Sequence, residues 1–230
     1  MGKWHFFYII RFYNIIKMEN IQDIIKKGTT TVGLVCKEGI VLAADKRATM
    51  GYNFVADKRV EKICQIADNM AITMAGTVSD AQLIIKLIKA ELNLKRIRTE
   101  KESTVKETAN LLGTMIYQNI RKFSPILGIT GFLLGGKDNT GFYLYEIAPD
   151  GSVMKYEDYM ADGSGMISAL SLLDTLYKKA SSIEEGIKLA VKCINAALQR
   201  DTATGEGVDV YTITKDGVKK VLTKILETSL

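Results

Sequence analysis

Residues 28–47 read GTTTVGLVCKEGIVLAADKR, and the architecture of the chain can be worked out from this segment. Two runs of β-branched and apolar residues, 29–36 and 40–47, flank Lys37-Glu38-Gly39, a sequence typical of a hairpin turn. The segment therefore predicts two antiparallel strands at the start of the folded part of the chain.

The rest of the chain alternates between groups of strands and pairs of helices. Capping-box pairs predict three helix starts, at Ser79, Thr104 and Ser182. The predicted helices cover 79–98, 104–122, about 166–178 and 182–200, and the further strands cover 59–66, 70–75, 126–135, 142–147, a short run after 149–151, 208–214 and 218–222. This order favours an α+β fold, a four-layer α/β/β/α sandwich of two antiparallel sheets flanked by helix pairs. The apolar residues Ile84, Ile85, Leu87 and Ile88 of the first helix are interpreted as core.

Composition and charge limit the classes of function. The 230 residues are 47% hydrophobic and 25% charged, which is typical of one globular domain, predicted at 29–230. The net charge is +5, but residues 1–28 hold five basic and two acidic side chains, so the remainder carries only +2. No basic stripe is evident there, and we expect no nucleic-acid partner.

Residues 1–28 are predicted to be a leader. Its first 17 residues, MGKWHFFYIIRFYNIIK, hold six of the 18 aromatic residues of the chain. Arg11 interrupts the apolar run, and no small-residue cleavage site follows, so neither a signal peptide nor a membrane span is expected. An alternative start at Met18 remains open.

Histidine and cysteine usage excludes several kinds of catalytic site. The single histidine is His5, so the body of the chain cannot build a Ser-His-Asp triad, a Cys-His pair or a histidine-ligated metal. The cysteines, Cys36, Cys64 and Cys193, are odd in number and widely spaced. They suggest reduced thiols in a cytoplasmic protein rather than a disulfide framework or a zinc site.

One motif resembles a phosphate-binding loop without being one. Gly131, Gly136 and Lys137 have the G-x-x-x-x-G-K spacing, but Asp138 follows where Ser or Thr is required. A turn at 139–141 then replaces the helix whose N-terminus would bind the phosphate. A hairpin turn is therefore favoured over a nucleotide site.

Two charged residues alternate with apolar ones in the predicted strands. Asp45 shares a strand face with Val41 and Ala43, and Lys62 shares one with Val60 and Cys64. A buried charge is costly unless it is paired, and a desolvated lysine changes its pKa readily. An acid–base pair is one interpretation; the other is that both side chains lie at strand ends and reach solvent.

The threonines after Gly28 offer a nucleophile that needs no histidine. Taken alone, Thr29, Thr30 and Thr31 are the start of a β-branched strand. An N-terminal threonine of a processed chain, however, carries a hydroxyl nucleophile and an α-amino base, with a pKa near 8, on one residue. In that case Lys62 would activate the nucleophile by its positive charge, with Asp45 orienting it.

Four segments, in the same order, resemble archaeal-type proteasome β subunits. They are TTTVGLVCKEGIVLAADKRATMG (29–51), MAGTVSDAQ (74–82), DGSG (162–165) and RDTATGEGVDV (200–210), and the resemblance covers essentially 29–222. It implies the N-terminal-nucleophile hydrolase sandwich, in agreement with the layer order above. It also implies a threonine endopeptidase that cleaves its own Gly28–Thr29 bond and then hydrolyses unfolded polypeptides, with no metal and no cofactor.

The resemblance also assigns roles to individual residues. It implies that Thr29 is the nucleophile and that the peptide N–H of Gly76 stabilises the oxyanion. The remaining catalytic positions are Asp45, Lys62, Ser164, Asp201 and Thr204. The substrate pocket falls on small or apolar residues, which suggests cleavage after hydrophobic residues: Ala48, Val60, Met74 and Val78.

Two departures from the family pattern leave alternatives open. Thr204 stands where serine is usual, so its extra methyl could crowd the site, and the loop at Gly51-Tyr52 has one extra residue. The implied partners are β subunits in a seven-membered ring, an α-subunit ring and an unfoldase ATPase, without a membrane. The alternatives are a non-catalytic β subunit that retains its leader, the bacterial ATP-dependent threonine protease with six-membered rings, and a non-enzymatic binding module.

Overall fold

The computed structural model describes residues 28–50, 54–124 and 127–226. The leader up to residue 27, the alternative start at Met18 and the extra residue of the 51–53 loop lie outside the described residues.

The described residues form thirteen strands and four helices. The strands are β1 (Thr30–Cys36), β2 (Gly39–Asp45), β3 (Ala48–Met50), β4 (Phe54–Asp57), β5 (Ile63–Ala67), β6 (Met70–Thr73), β7 (Ala75–Gly76), β8 (Thr130–Asp138), β9 (Gly141–Ile147), β10 (Val153–Tyr156), β11 (Tyr159–Gly163), β12 (Gly207–Thr214) and β13 (Gly217–Ile225). The helices are α1 (Val78–Thr99), α2 (Val105–Arg121), α3 (Met166–Leu176) and α4 (Ile183–Arg200).

Two antiparallel sheets face each other between the helix pairs. The first sheet has the order β11-β1-β2-β12-β13, and the second has β10-β9-β8-β6-β5 with β7 paired to β8. Buried side chains such as Leu42, Leu133 and Leu144 join the two sheets. Helices α3 and α4 cover the first sheet, and α1 and α2 cover the second. The predicted four-layer α/β/β/α sandwich is confirmed.

Most predicted elements form near their predicted places. The hairpin β1–β2, the closing hairpin β12–β13 and the capping boxes at Thr104 and Ser182 are confirmed. The turn between Asp138 and Gly141 joins β8 to β9, which confirms the hairpin interpretation of the Gly-Lys motif.

Several boundaries differ for local reasons. Helix α1 begins at Val78, and the predicted capping box at Ser79 is wrong because Thr77 is the N-cap and its backbone N–H donates to Ile129 O. The strand predicted from residue 59 begins only at Ile63, and the one predicted from 126 begins at Thr130. Strands β3, β4 and β11 are short and were not predicted.

Helix α1 carries both buried and exposed apolar side chains. Ile84, Ile85 and Ile88 are buried as predicted, but Leu87 is 46% exposed, so its assignment to the core is wrong. Leu83 and Ile97 are exposed on the same helix. Within the described ranges, none of the helices combines the length and the apolar character needed to cross a bilayer.

Candidate active site

Thr29 lies immediately before β1, in the middle of the first sheet. The neighbouring residue Thr30 lies opposite Gly163 of β11, and Thr31 lies opposite Ala44 of β2. Thr29 is only 5% exposed. The strand start is therefore held by neighbours on both sides, which fixes the position of the candidate nucleophile.

The backbone around Thr29 approaches β11 closely. Gly163 adopts a φ of +97°, and a Cβ atom there would lie 2.2 Å from the carbonyl oxygen of Thr29. Only glycine fits both the left-handed backbone and this contact. The approach brings Ser164 to Thr29, and the Thr29 backbone N–H donates to Ser164 Oγ at 3.1 Å.

A chain of hydroxyl groups leads from this nitrogen to Asp201, which follows α4. Ser164 Oγ and Thr204 Oγ1 each donate to Asp201 Oδ2 at 2.5 Å. Thr30 Oγ1 lies 2.6 Å from Thr204 Oγ1 and must donate to it, because the Thr204 proton is already given to Asp201. Thr204 is 1% exposed, and its hydroxyl makes these contacts in spite of the extra methyl group.

Asp45 and Lys62 form a buried ion pair beside the strand start. Lys62 Nζ lies 2.7 Å from Asp45 Oδ1, and the side chains are 4% and 0% exposed. The alternative that both charges reach solvent is therefore wrong. The pair does sit at strand ends, since Asp45 ends β2 and Lys62 precedes β5.

Asp45 also binds the backbone around it. Its Oδ1 accepts a hydrogen bond from Thr30 N at 3.0 Å, and its Oδ2 accepts from Arg47 N and Gly205 N at 3.1 and 3.0 Å. Burial lowers the pKa of the Lys62 ammonium below its usual value, although the negative charge of Asp45 opposes this shift. A buried lysine held against a fixed carboxylate is suited to polarising a neighbouring hydroxyl.

An apolar cleft opens beside Thr29 and Lys62. All four predicted pocket residues line it, together with the predicted oxyanion residue: Ala48, Val60, Met74, Val78 and Gly76. Gly76 has a φ of +101°, and a Cβ atom there would lie 2.2 Å from Ile129 O, so glycine is required at this position.

Sequence reasoning missed two residues of the site, Thr30 and Arg47, and also the contact of Thr49 with Gly28, although Thr49 is not among the residues that line the cleft. Thr30 joins the hydroxyl chain to Asp201, as described above. Arg47 lines the cleft and donates from Nη1 to Thr202 O at 2.9 Å, and Thr49 of β3 accepts a hydrogen bond from Gly28 N. Alternation along 43–49 could have placed Arg47 beside Asp45, but no local pattern marks the contact of Thr49.

Metal ligands are not gathered at this site. In the part of the chain that the structure describes, no group of three or more His, Cys, Asp or Glu side chains is arranged to hold a metal ion.

Comparisons with known proteins show the family to which the chain is similar. A protein-family profile described as "Proteasome subunit" matches residues 25–213. The proteasome subunit beta of Archaeoglobus fulgidus is 45% identical over 199 residues, which cover 86% of this chain and 91% of that protein. The proteasome subunit beta 2 of Pyrococcus furiosus is 48% identical over 194 residues, which cover 84% of this chain and 91% of that protein. The proteasome subunit beta of Ferroglobus placidus is 46% identical over 195 residues, which cover 85% of this chain and 90% of that protein.

Proposed function

Because this chain belongs to the proteasome subunit family, as a β-type subunit, we propose that it is a threonine endopeptidase with Thr29 as nucleophile. The observation that carries the proposal is the position of Thr29, which lies between the Ser164–Asp201 hydrogen bonds and the cleft that Lys62 lines. A purely structural subunit has no need of a buried Asp45–Lys62 pair beside such a cleft.

The first reaction is cleavage of the chain by itself. The Thr29 hydroxyl attacks the carbonyl carbon of Gly28 and displaces the Thr29 nitrogen, which forms an ester and frees the amine. Water then hydrolyses the ester, releases the leader with Gly28 at its end, and leaves Thr29 at the new N-terminus.

In the second reaction, the freed α-amine serves as the base. It accepts the hydroxyl proton as Thr29 Oγ1 attacks a substrate carbonyl and later returns a proton to the leaving amine. The positive charge of Lys62, oriented by Asp45, favours ionisation of the hydroxyl. Ser164, Asp201 and Thr204 hold the amine, and the Gly76 N–H stabilises the oxyanion, a contribution of about 3–4 kcal/mol for such donors.

The cleft indicates the preferred substrate. Arg47 and Lys62 line one part of the cleft, but Ala48, Val60 and Met74 give it small or apolar surface, which supports binding of an apolar side chain before the scissile bond. We expect cleavage after hydrophobic residues of unfolded polypeptides. Fluorogenic peptides that differ only in this residue would test the preference, and equal turnover of acidic and apolar versions would contradict it.

Assembly follows from family membership and from the exposed apolar residues of α1. The proposed partners are β subunits in a seven-membered ring, an α-subunit ring and an unfoldase ATPase, in the cytoplasm. Leu83, Leu87 and Ile97 are 53%, 46% and 74% exposed, and packing against other chains would bury such side chains.

The decisive experiment compares the unchanged chain with Thr29→Ala in assembled particles. Intact mass should show the unchanged chain beginning at Thr29, and Thr29→Ala should retain its leader and hydrolyse no peptide above background. A leader retained by the unchanged chain in fully assembled particles, without peptidase activity, would favour the structural-subunit alternative.

A further inference from the structure

Gly28, the residue before the proposed cleavage site, is held on two sides. Its backbone N–H donates to Thr49 Oγ1 at 3.1 Å in a buried hydrogen bond. On the other side, a Cβ atom on Gly28 would lie 1.7 Å from Ala203 Cβ, so the backbone is packed against that side chain. Thr49 and Ala203 thus restrict the nitrogen and α-carbon of Gly28, which precede its carbonyl, and Ser164 holds the nitrogen of the scissile peptide.

The hydroxyl of Thr49 is well placed to hold this residue rigidly. Thr49 is 5% exposed and lies in the centre of β3, where β3 pairs with β4 and Thr49 lies opposite Val55. A hydrogen bond to a buried hydroxyl on a paired strand restricts Gly28 more than a solvent-exposed contact would.

The residue before the scissile bond occupies different places in the two reactions. In the intact chain, the carbonyl carbon of Gly28 is covalently bonded to the Thr29 nitrogen, so the position of Gly28 is restricted by that bond. In turnover, the substrate carbonyl lies at the Thr29 hydroxyl, and the α-amine is free. A contact that holds Gly28 in the first arrangement is therefore not required in the second.

We propose that Thr49 is a positioning residue for removal of the leader and not for substrate turnover. Its hydroxyl holds the Gly28 N–H, and through it orients the Gly28 carbonyl for attack by the Thr29 hydroxyl. The inference rests on the proposed function, since it assumes that Thr29 cleaves the chain.

Three variants of the full chain test this role. Thr49→Val removes the hydroxyl and keeps the shape, Thr49→Ser restores the hydroxyl, and Thr49→Ala removes the hydroxyl without adding a methyl group. Thr73→Val is the matched control, because Thr73 is also fully buried and its Oγ1 accepts the Leu133 N–H at 3.1 Å, at a distance in sequence from the leader.

Two quantities are measured during assembly into particles. The rate of leader loss is followed by intact mass, and peptide hydrolysis is expressed per subunit that begins at Thr29. We expect Thr49→Val and Thr49→Ala to slow leader loss about tenfold, the effect of one buried hydrogen bond. Thr49→Ser and Thr73→Val should stay within about twofold of the unchanged chain, and hydrolysis per processed subunit should be unaltered in every variant.

Other results would overturn the proposal. Leader loss within twofold of the unchanged chain in Thr49→Val or Thr49→Ala would show that the hydroxyl is not needed. Equal slowing in Thr73→Val, or hydrolysis per processed subunit falling in parallel with leader loss, would show a general structural role. Failure of the proposed function itself would appear separately, as a leader retained by the unchanged chain.

Discussion

In the proposed mechanism, two groups should set how the rate of hydrolysis depends on pH: the α-amine of Thr29 and the ammonium of Lys62. The α-amine of Thr29 must be uncharged to accept a proton, so kcat/KM should rise with pH as this group, with an ordinary pKa of about 7.7–8.0, loses its proton. Lys62 must remain charged, and burial lowers its pKa below the usual 10.5. The rate should therefore fall again on the alkaline side, at a pH below 10.5. A pH–rate profile on processed particles measures both limbs, and a rate still level at the usual lysine pKa would contradict a charged role for Lys62.

The hydroxyl of Thr204 should matter more than its methyl group. Thr204→Ser keeps the donor to Asp201, and we expect kcat within about twofold of the unchanged chain. Thr204→Val removes that donor and leaves the Thr30 hydroxyl without its acceptor, so kcat should fall about tenfold with little change in KM. Steady-state kinetics on the two variants distinguish these expectations, and equal kcat values would rule out a role for the hydroxyl.

At the scale of elements, a chain of ion pairs ties the first sheet together beneath the active site. Asp209 of β12 is 1% exposed and lies 2.5 Å from Lys46 Nζ, which follows β2, and 3.3 Å from Lys220 Nζ of β13. Lys220 also contacts Glu61, the neighbour of Lys62, at 2.7 Å. The segments that carry Asp45 and Lys62 are thereby joined through β12 and β13.

Removing one member of this chain should destabilise the fold. Asp209→Asn leaves the buried Lys46 without its partner, and we expect a loss of about 3 kcal/mol in the free energy of unfolding. Glu157→Gln is the control, because it breaks the exposed 3.5 Å pair with Lys155 and should cost less than about 0.5 kcal/mol. Denaturant unfolding of both variants gives the comparison, and equal losses would contradict the expectation.

The same ion-pair chain sets a direction for acid sensitivity. Burial alone raises the pKa of Asp209, but hydrogen bonds from Lys46 and Thr223 outweigh it, and the net pKa lies below the usual 3.8. The contribution of the Asp209 carboxylate to the free energy of unfolding is therefore fully present above pH 3.8. It is lost as the pH falls through the lowered pKa of Asp209.

At the scale of the whole molecule, leader removal should occur within one chain. Thr29 is 5% exposed, and Gly28 is packed against Ala203, so the nucleophile of a neighbouring subunit cannot reach the bond between them. When tagged Thr29→Ala chains are assembled with unchanged chains, intact mass should show the bond between positions 28 and 29 intact in every tagged chain. A tagged variant chain that begins at residue 29 would demonstrate cleavage between chains.

Local patterns predicted most of the architecture and gave the buried charged pair as one of two interpretations. The β1–β2 hairpin, two of three capping boxes and the burial of Asp45 follow from alternation and turn residues near each site. The sequence predicts Lys62 inside a strand, whereas the structure places it in the segment before β5. There the Lys62 carbonyl accepts the Met74 N–H, and the Val60 N–H donates to the Lys46 carbonyl. Both hydrogen bonds lie outside regular strand pairing. The sequence could not show them, because they depend on how distant segments pack.

The contacts of Thr30 and Thr49 were missed for a related reason. Thr30 meets Thr204 across 174 residues, and Thr49 meets Gly28 from a short strand that carries no clear alternation. Strand β11, which carries Gly163, has only five residues and pairs with a strand about 130 residues away. Such contacts appear only when both sheets are assembled.

The position of β1, with β11 on one side and β2 on the other, has a consequence for amide hydrogen exchange. Strands paired on both sides exchange their amide hydrogens only when the whole domain opens, whereas loops exchange by local fluctuation. The Thr30 and Thr31 amides should therefore be among the slowest to exchange, although they adjoin the nucleophile. The proposed catalysis would then persist on heating until the sheet itself unfolds. A substitution that raises the unfolding temperature of the sheet should raise the temperature at which activity is lost by the same amount.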